Sequence, residues 1–463
     1  MNRIFIALVA IAFFFAAWGQ LQWAPPPDTE AAVEQPLEIS GDPTLQRLQE
    51  VERQLDALTR PPAEEPPAPP MKALTTGIIE SSKGAAELAI SLIGVMAFFL
   101  GLMKVAEAGG MLQIIAGLLR PIMVRLFPDV PADHPAMGAM ILNFSANALG
   151  LGNAATPFGI KAMQELDKLN PNPGTATNAM VLFLAINTSS ITLLPTGVMG
   201  IRGVMGSTDP GGIMGTTLFA TLLSTGTAIV AATLYRRFVP ANEGPLPAPN
   251  PGTTTDDVPI TANFPAWVSG LMLLGIVGVV PVLLVYGSTV SDWVIPCLAL
   301  GLLGFGFVRG VPVYERFVEG AKDGFDVAVK IIPYLVAILV AVGMLRSSGA
   351  LGMFVSWISP LTAPMGLPAE ALPMALLRPL SGSGAYGIMM DTLQTEGPDS
   401  YVGYLVSTLQ GSTETTFYVI AVYFGAIRVT RVRHALAAAL TADVMGVIAA
   451  IVAVQIYLSM LAG

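Results

Sequence analysis

Between Tyr401 and Ile427 the chain is apolar on both flanks of a polar island, Gln410-Gly411-Ser412-Thr413-Glu414-Thr415-Thr416, closed by Phe417. Few folds accept that combination. An apolar stretch of this length is read as membrane-embedded. A carboxylate at bilayer depth costs about 2.5–3.5 kcal/mol on insertion scales for the related Asp, so such residues face a cavity or a partner. Glu414 therefore has two readings: a structural acid hydrogen-bonded by the neighbouring hydroxyls, or part of a polar site lining a solute pathway.

The rest of the composition agrees with a membrane setting. With 53% hydrophobic and 12% charged residues, the chain is not an ordinary soluble globular protein. It reads as an all-α polytopic membrane protein with about nine spanning helices. The 47 glycines and 37 prolines suit close helix packing and broken helices. One cysteine, Cys297, excludes internal disulfides and thiolate metal clusters, and the two histidines, His134 and His434, lie far apart. No metal site and no cofactor is expected. An enzyme would need an activated nucleophile or a metal constellation, and none is visible. Lipids are the expected surroundings, and nucleic acid is not an expected partner.

Residues 1–23 read as an uncleaved N-terminal membrane anchor behind Arg3, without a clean A-x-A cleavage site after it. Residues 24–70 hold ten acids and three arginines among many prolines, the mark of an extended, exposed segment. Within it Leu45, Leu48, Val51, Leu55 and Leu58 recur at helical spacing, which predicts a short amphipathic helix over 43–60. At two heptads this is too short for a convincing coiled coil and leaves a homo-oligomer open. A span from Glu87 and a cationic interfacial helix ending near Leu126 come next. Ala136 to Pro157 carries Asn143, Asn147 and Asn153 with Gly150, Gly152, Pro157 and Gly159 in or just after it. Backbone this irregular is tolerated at membrane depth only where it is buried in protein or lines a cavity, so a re-entrant hairpin is predicted. Residues 239–262 read as a Pro-rich linker between two halves, 71–238 and 311–463, with two scaffold helices in 263–310.

The halves repeat. The hairpin around Asn143–Gly152 corresponds to Leu380-Ser381-Gly382-Ser383-Gly384-Ala385-Tyr386-Gly387, and Asn187-Thr188-Ser189-Ser190 falls where Ser412-Thr413-Glu414-Thr415 falls. Ordered matches of this kind over about 100 residues signal an internal repeat. Lys and Arg accumulate on the cytoplasmic side. Arg3, Arg120, Arg125, Arg236, Arg237, Arg309, Arg316, Lys322, Arg428, Arg431 and Arg433 then put the N-terminus inside and 24–70 outside, with Arg202 and Arg346 as exceptions. On this layout the repeats are inverted, the plan of many secondary transporters, with the site at the midplane where the halves meet.

At these residues the chain resembles a known family. His134-Pro135-Ala136-Met137-Gly138-Ala139-Met140, Leu149-Gly150-Leu151-Gly152-Asn153-Ala154-Ala155-Thr156-Pro157-Phe158-Gly159 and Ala185-Ile186-Asn187-Thr188-Ser189-Ser190 resemble spore maturation protein A. Arg378-Pro379-Leu380-Ser381-Gly382-Ser383-Gly384 and Gly411-Ser412-Thr413-Glu414-Thr415-Thr416-Phe417-Tyr418-Val419 resemble spore maturation protein B. The whole is similar to a fused A and B form of the Gate, or nucleoside-recognition, group, shared with concentrative nucleoside transporters and the membrane part of the ferrous iron transporter B. The resemblance implies two inverted-topology Gate repeats with re-entrant hairpins. Gly411 to Phe417 is similar to the Gly-Gln-Thr-Glu hairpin motif of nucleoside carriers, with Ser412 in place of Gln.

The expected solute site combines Asn143, Asn147, Asn153, Thr156, Asn187, Thr188, Ser189, Ser190, Ser381, Ser383, Ser412, Thr413, Thr415 and Thr416 with the acid Glu414. Glu414 and Asp391 are the candidate coupling groups, with Asp443 a third buried acid weighted toward structure. Such a set suits a small polar solute, nucleoside-like or ionic, taken across a bacterial cytoplasmic (inner) membrane with a proton or cation. The competing reading is a non-transporting membrane scaffold or regulator of envelope or spore maturation, acting through partner proteins at residues 24–70.

Overall fold

The computed structural model describes residues 2–22, 69–150, 152–190, 192–239 and 264–461. The amphipathic helix expected at 43–60 and all but the last two residues of 24–70 lie outside the described residues, as does the 239–262 linker beyond Val239. The regular elements described are helical: α1 (Asn2–Gln22), α2 (Pro70–Ala108), α3 (Met111–Leu126), α4 (Pro135–Ala148), α5 (Gly152–Lys168), α6 (Asn178–Ser189), α7 (Thr196–Val204), α8 (Ile213–Tyr235), α9 (Ala266–Val308), α10 (Val313–Ser347), α11 (Ala350–Thr362), α12 (Leu372–Leu377), α13 (Gly382–Glu396), α14 (Tyr401–Ser412), α15 (Thr416–Ala426) and α16 (Ala435–Leu461). In hydrocarbon every backbone group must be satisfied within the protein, which helices do locally.

Among the described residues, five helices are long and apolar enough to cross a membrane: α2, α8, α16 and the two parts of α9, Ala266–Gly287 and Thr289–Val308. Leu335–Ser347 with Ala350–Met365, bent by 80°, makes a sixth if taken together. The sequence suggested about nine because it counted apolar length. Several of those segments are broken in the middle. The 12 residues of α6 and of α14 rise about 18 Å each, against a core of about 30 Å, so each needs the short helix after it to complete a crossing. The two scaffold spans form a single 43-residue helix, α9. Trp267, Leu274, Trp293, Leu300 and Phe307 along it are each more than 60% exposed, the face such a helix turns to lipid.

The described residues divide into two compact units, those within 2–22, 69–81 and 340–354 and those within 82–239, 264–339 and 355–461. In the smaller unit, Ala12 and Ala16 of α1 pack with Leu74 and Met344. A Cβ at Gly77 would meet Ser347, and one at Gly343 would meet Ser81. Small residues at a crossing let two backbones approach, and van der Waals packing then does what the hydrophobic effect does in water.

The larger unit holds both repeats, in the same order. The hairpin α4–α5, the broken pair α6–α7 and the long α8 are followed by the hairpin α12–α13, the broken pair α14–α15 and the long α16. Both broken pairs begin on a hydroxyl cap. Thr177 accepts from Met180 N (3.2 Å) and Ser400 from Gly403 N (2.9 Å), contributions of about 1 kcal/mol each. The start of α6 is tied to the chain leaving α15: Thr430 N and Arg431 N donate to Gly174 O (3.0 and 3.1 Å), and Ala176 N donates to Arg431 O (3.0 Å). The chain leaving α7 is tied to the start of α14, where Arg202 Nη2 and Ser207 Oγ both donate to Asp399 Oδ1 (3.0 and 2.5 Å). Entry joined to exit at both ends means that the two broken pairs run antiparallel. The inverted repeat is thus built into the contacts.

Candidate functional site

The two breaks meet in the middle of this antiparallel pair. α6 stops because Ser190 turns to φ 52°, a conformation few non-glycine residues adopt. Pro195 then starts α7. α14 stops because Thr413 is extended (φ −133°, ψ 164°). Each stop leaves C-terminal carbonyls without intrahelical partners, and the other repeat or a side chain supplies them. Glu414 N donates to Thr188 O at 3.0 Å, so the second break caps the first. Thr221 Oγ1 donates to Ser189 O (3.4 Å).

The second break is capped by a residue absent from the expected site. Arg378, at the end of α12, donates through Nη2 to Thr413 O and to Gln410 O (3.3 Å), and through Nη1 to Thr415 Oγ1 (3.1 Å). Its Nη2 also lies 3.8 Å from Glu414 Oε2. Arg378 is 5% exposed, whereas the Glu414 side chain is 44% exposed. A permanently charged, five-donor guanidinium thus sits behind the break and the carboxylate in front of it. Arg378 was within reach of the sequence, since an intramembrane cation marks a site by default. It stands beside Pro379 at the edge of an apolar run, where it also reads as a flank.

Both hairpins reach this crossing. Asn147 of α4 donates from Nδ2 to Asn187 Oδ1 (3.0 Å), and Asn187 Nδ2 donates to Phe183 O (2.8 Å), which orients both amides. In the second hairpin Ser381 caps α13, accepting from Gly384 N (3.0 Å). A Cβ on Gly382 would sit 2.8 Å from Thr415 Oγ1, so that position has room only for glycine or a shift. Phe417 N donates to Pro379 O (2.9 Å). Thr188, Glu414 and Thr415 are therefore brought into one connected set of contacts with Arg378, with the Asn147–Asn187 pair one residue before Thr188 and Ser381 capping the neighbouring hairpin.

Other expected residues point elsewhere. Asn143 is fully buried within its hairpin, its Nδ2 donating to Ala155 O (2.8 Å) and the Tyr423 hydroxyl (3.2 Å). Ser189 bonds Thr225 (2.9 Å) and Ser190 bonds Thr192 (2.6 Å). Thr413 donates to Leu409 O (3.1 Å). Thr416 Oγ1 donates to Asp443 Oδ2 (2.7 Å), so Asp443 touches the break although it lies on α16. Ser412 is fully buried and its Oγ has no partner among the described residues. Ser383 and Thr156 are half-buried on α13 and α5, and Asn153 lies in α5 with its side chain outside the described ones. Asp391 is half-buried in α13, nine residues or roughly 13 Å of helix rise from Gly382. Among the described residues no group of three or more His, Cys, Asp or Glu is placed to hold a metal ion.

The geometry therefore offers amide and hydroxyl groups on one repeat, and an Arg-backed carboxylate with hydroxyls on the other, where two unwound segments touch. Such a site can hydrogen-bond a polar solute from two sides.

The chain is similar to known proteins. The Gate family, described as nucleoside recognition, matches residues 89–205 and 328–429, two stretches that each contain a hairpin and a broken pair. Spore maturation protein B of Bacillus subtilis (strain 168) is 47% identical over 162 residues, 35% of this chain and 91% of that protein. Spore maturation protein A of the same organism is 47% identical over 161 residues, 35% of this chain and 82% of that one. Among solved structures, CNTnw in an inward-facing substrate-bound state aligns with a TM-score of 0.42 at 12% identity, covering 99% of both chains. The Alcanivorax borkumensis YdaH transporter aligns at 0.36 and 16% identity, covering 89% of this chain and 96% of that one.

Proposed function

The chain belongs to the family of spore maturation proteins A and B, and we propose that this multi-pass bacterial membrane protein is a carrier, not an enzyme, which moves a small polar solute through the crossing of its two broken pairs. The observation that carries the reading is the contact of the breaks themselves. Glu414 N bonds Thr188 O across the repeats, and the Glu414 carboxylate beside it is accessible and backed by Arg378. Half-helices that end at a shared point place polar backbone groups there, and one repeat can rock against the other around it. Asn147, Asn187, Ser381, Thr415 and Glu414 would contact the solute. Glu414 is proposed as the group that couples passage to a proton or cation, with Asp391 the next candidate on the same repeat. The Gate description points to nucleosides, while Ser412 alters the polar run beside Glu414, so the solute class is best taken as polar and nucleoside-like or ionic.

The test is uptake into proteoliposomes of nucleosides, nucleotides, dicarboxylates and divalent cations by the full chain. Glu414→Gln keeps size and hydrogen bonding and removes the charge, so folding should survive while pH- or ion-dependent uptake is lost. Unchanged coupled uptake in the Gln variant would remove Glu414 from the role. Kinship with spore maturation proteins favours one second reading, a membrane scaffold or regulator acting through partners. On that reading no solute is taken up, and deletion of residues 24–70 abolishes function while Glu414→Gln does not.

A further inference from the structure

Asp443 is the acid the carrier reading leaves without a task. It lies in α16, a helix of 27 residues that is apolar over most of its length, and is 6% exposed. Its Oδ2 accepts one hydrogen bond, from Thr416 Oγ1 at 2.7 Å, and its Oδ1 has no partner among the described residues. Ser224 of α8 reaches the same turn but donates to Ala442 O (2.9 Å), not to the carboxyl.

The charges around it are few. α8, α6, α14 and α15, which pack against α16, contain no Asp, Glu, Lys or Arg. Their titratable groups are tyrosines, of which Tyr235 bonds Thr441 (3.0 Å) and Tyr423 faces Asn143. α9, also packed on α16, contributes one acid, Asp292, which is exposed. The cation at the break is Arg378. Its hydrogen bonds go to Gln410 O, Thr413 O and Thr415, and its ion pair is with Glu414. The one positive charge at the break is therefore committed to Glu414, and Asp443 has no ion pair among the described residues. Glu414 has the ion pair and a side chain that is 44% exposed. Asp443 has a single neutral donor, and an ionised carboxylate so placed in apolar surroundings is far more costly than a neutral one.

We propose that Asp443 is a proton-binding site, holding its proton at neutral pH behind the Thr413–Thr416 break and making the Arg378–Glu414–Asp443 group neutral overall. Thr416 at the start of α15 connects that proton to the break: loss of the proton would leave a second negative charge pulling on the Thr416 hydroxyl and on Arg378. Use of the proton in solute movement rests on the carrier reading above, whereas its presence does not.

Infrared spectroscopy of the full chain in nanodiscs tests this without a known solute. At pH 7 the wild type should show the carbonyl stretch of a protonated carboxyl. That band should persist in Glu414→Gln and be lost in Asp443→Asn, with the Tm of Asp443→Asn unchanged, because a neutral amide replaces a neutral acid. Absence of the band, its survival in Asp443→Asn or its loss in Glu414→Gln would each overturn the proposal. So would a sodium-dependent rise in Tm that Asp443→Asn abolishes, which would mark a bound cation instead. Should Asp443→Asn fail to fold, Thr416→Val removes the one hydrogen bond and keeps the shape. The band should then shift, and an unmoved band counts against Asp443. Failure of the carrier reading would appear separately, as no uptake of any solute with the band still present.

Discussion

The two ends of the antiparallel pair are joined by different chemistry. At the Arg202 end the joint is made of side chains. Arg202 is fully buried and donates to Pro398 O (2.6 Å), Ser207 Oγ (3.1 Å), Asp209 O (3.1 Å) and Asp399 Oδ1 (3.0 Å), with its guanidinium 4.2 Å over the Tyr404 ring. Tyr404 and Tyr457 both donate to Asp209 Oδ2 (2.6 and 2.5 Å). At the Arg431 end the joint is main chain, an isolated bridge of Thr175 with Arg431, with Arg433 Nη1 adding a bond to Ala176 O (3.0 Å). The contrast teaches where sequence can change the joint. Side-chain joints are tunable by substitution and by pH, while a backbone bridge survives most replacements.

Three measurements probe that contrast. The largest effect is expected for Arg202→Met, which leaves Asp399 without its cation and Asp209 O without its donor. Breaking a fully buried pair costs about 3–5 kcal/mol, and with Asp399 a third exposed a smaller loss is expected, read as a fall in Tm of the purified protein; a loss no greater than that of a surface substitution would remove the distinction between the ends. An intermediate effect follows from acid. Burial pushes the Asp399 carboxyl up, but hydrogen bonds from Ser207 and from the Thr208 amide and hydroxyl, with the Arg202 charge, outweigh it and leave it below the ordinary value. A carboxyl lowered on folding contributes stability that is fully present above its unfolded value, about pH 4, and lost as pH falls through the folded one. The Tm difference between wild type and Asp399→Asn should therefore be constant from neutral pH to about pH 5 and close under stronger acid. The smallest effect belongs to Arg431→Ala, whose exposed side chain takes no part in the bridge. A change within about 0.5 kcal/mol is expected, and a loss like that of Arg202→Met would mean that the second joint also depends on side chains.

Much of the fold was legible because glycine, proline and polar residues inside apolar runs admit few explanations. The hairpin at Asn143–Gly152 could be located from that signal, and the polar runs Asn187–Ser190 and Gln410–Thr416 proved to be where the two helices break. What escaped were residues whose partners lie far along the chain. Arg202 reads as an exception when cations are counted by side, since the count treats each one as a surface charge. Its partners lie between Ser207 and Asp399, up to 197 residues away. Arg378 escapes a local reading because its acceptors, Gln410 O, Thr413 O and Thr415, are 32–37 residues on. Asp443 lacked a polar neighbourhood in its own helix, and Thr416, 27 residues before it, supplies one. Period and composition report what a segment does locally, and these contacts are tertiary.

The joints have a consequence for how the polypeptide can be divided. Gly174 answers Thr430 and Arg431, Arg202 answers Asp399, and Thr188 answers Glu414. In each case the partners fall on opposite sides of the 240–263 segment. A protein nicked in that segment would yield two fragments, each carrying half of every joint, and neither has within itself the groups to replace the missing half. Such fragments should be recovered as a complex or fail to accumulate, so continuity of the chain is dispensable where mutual templating of the halves is not.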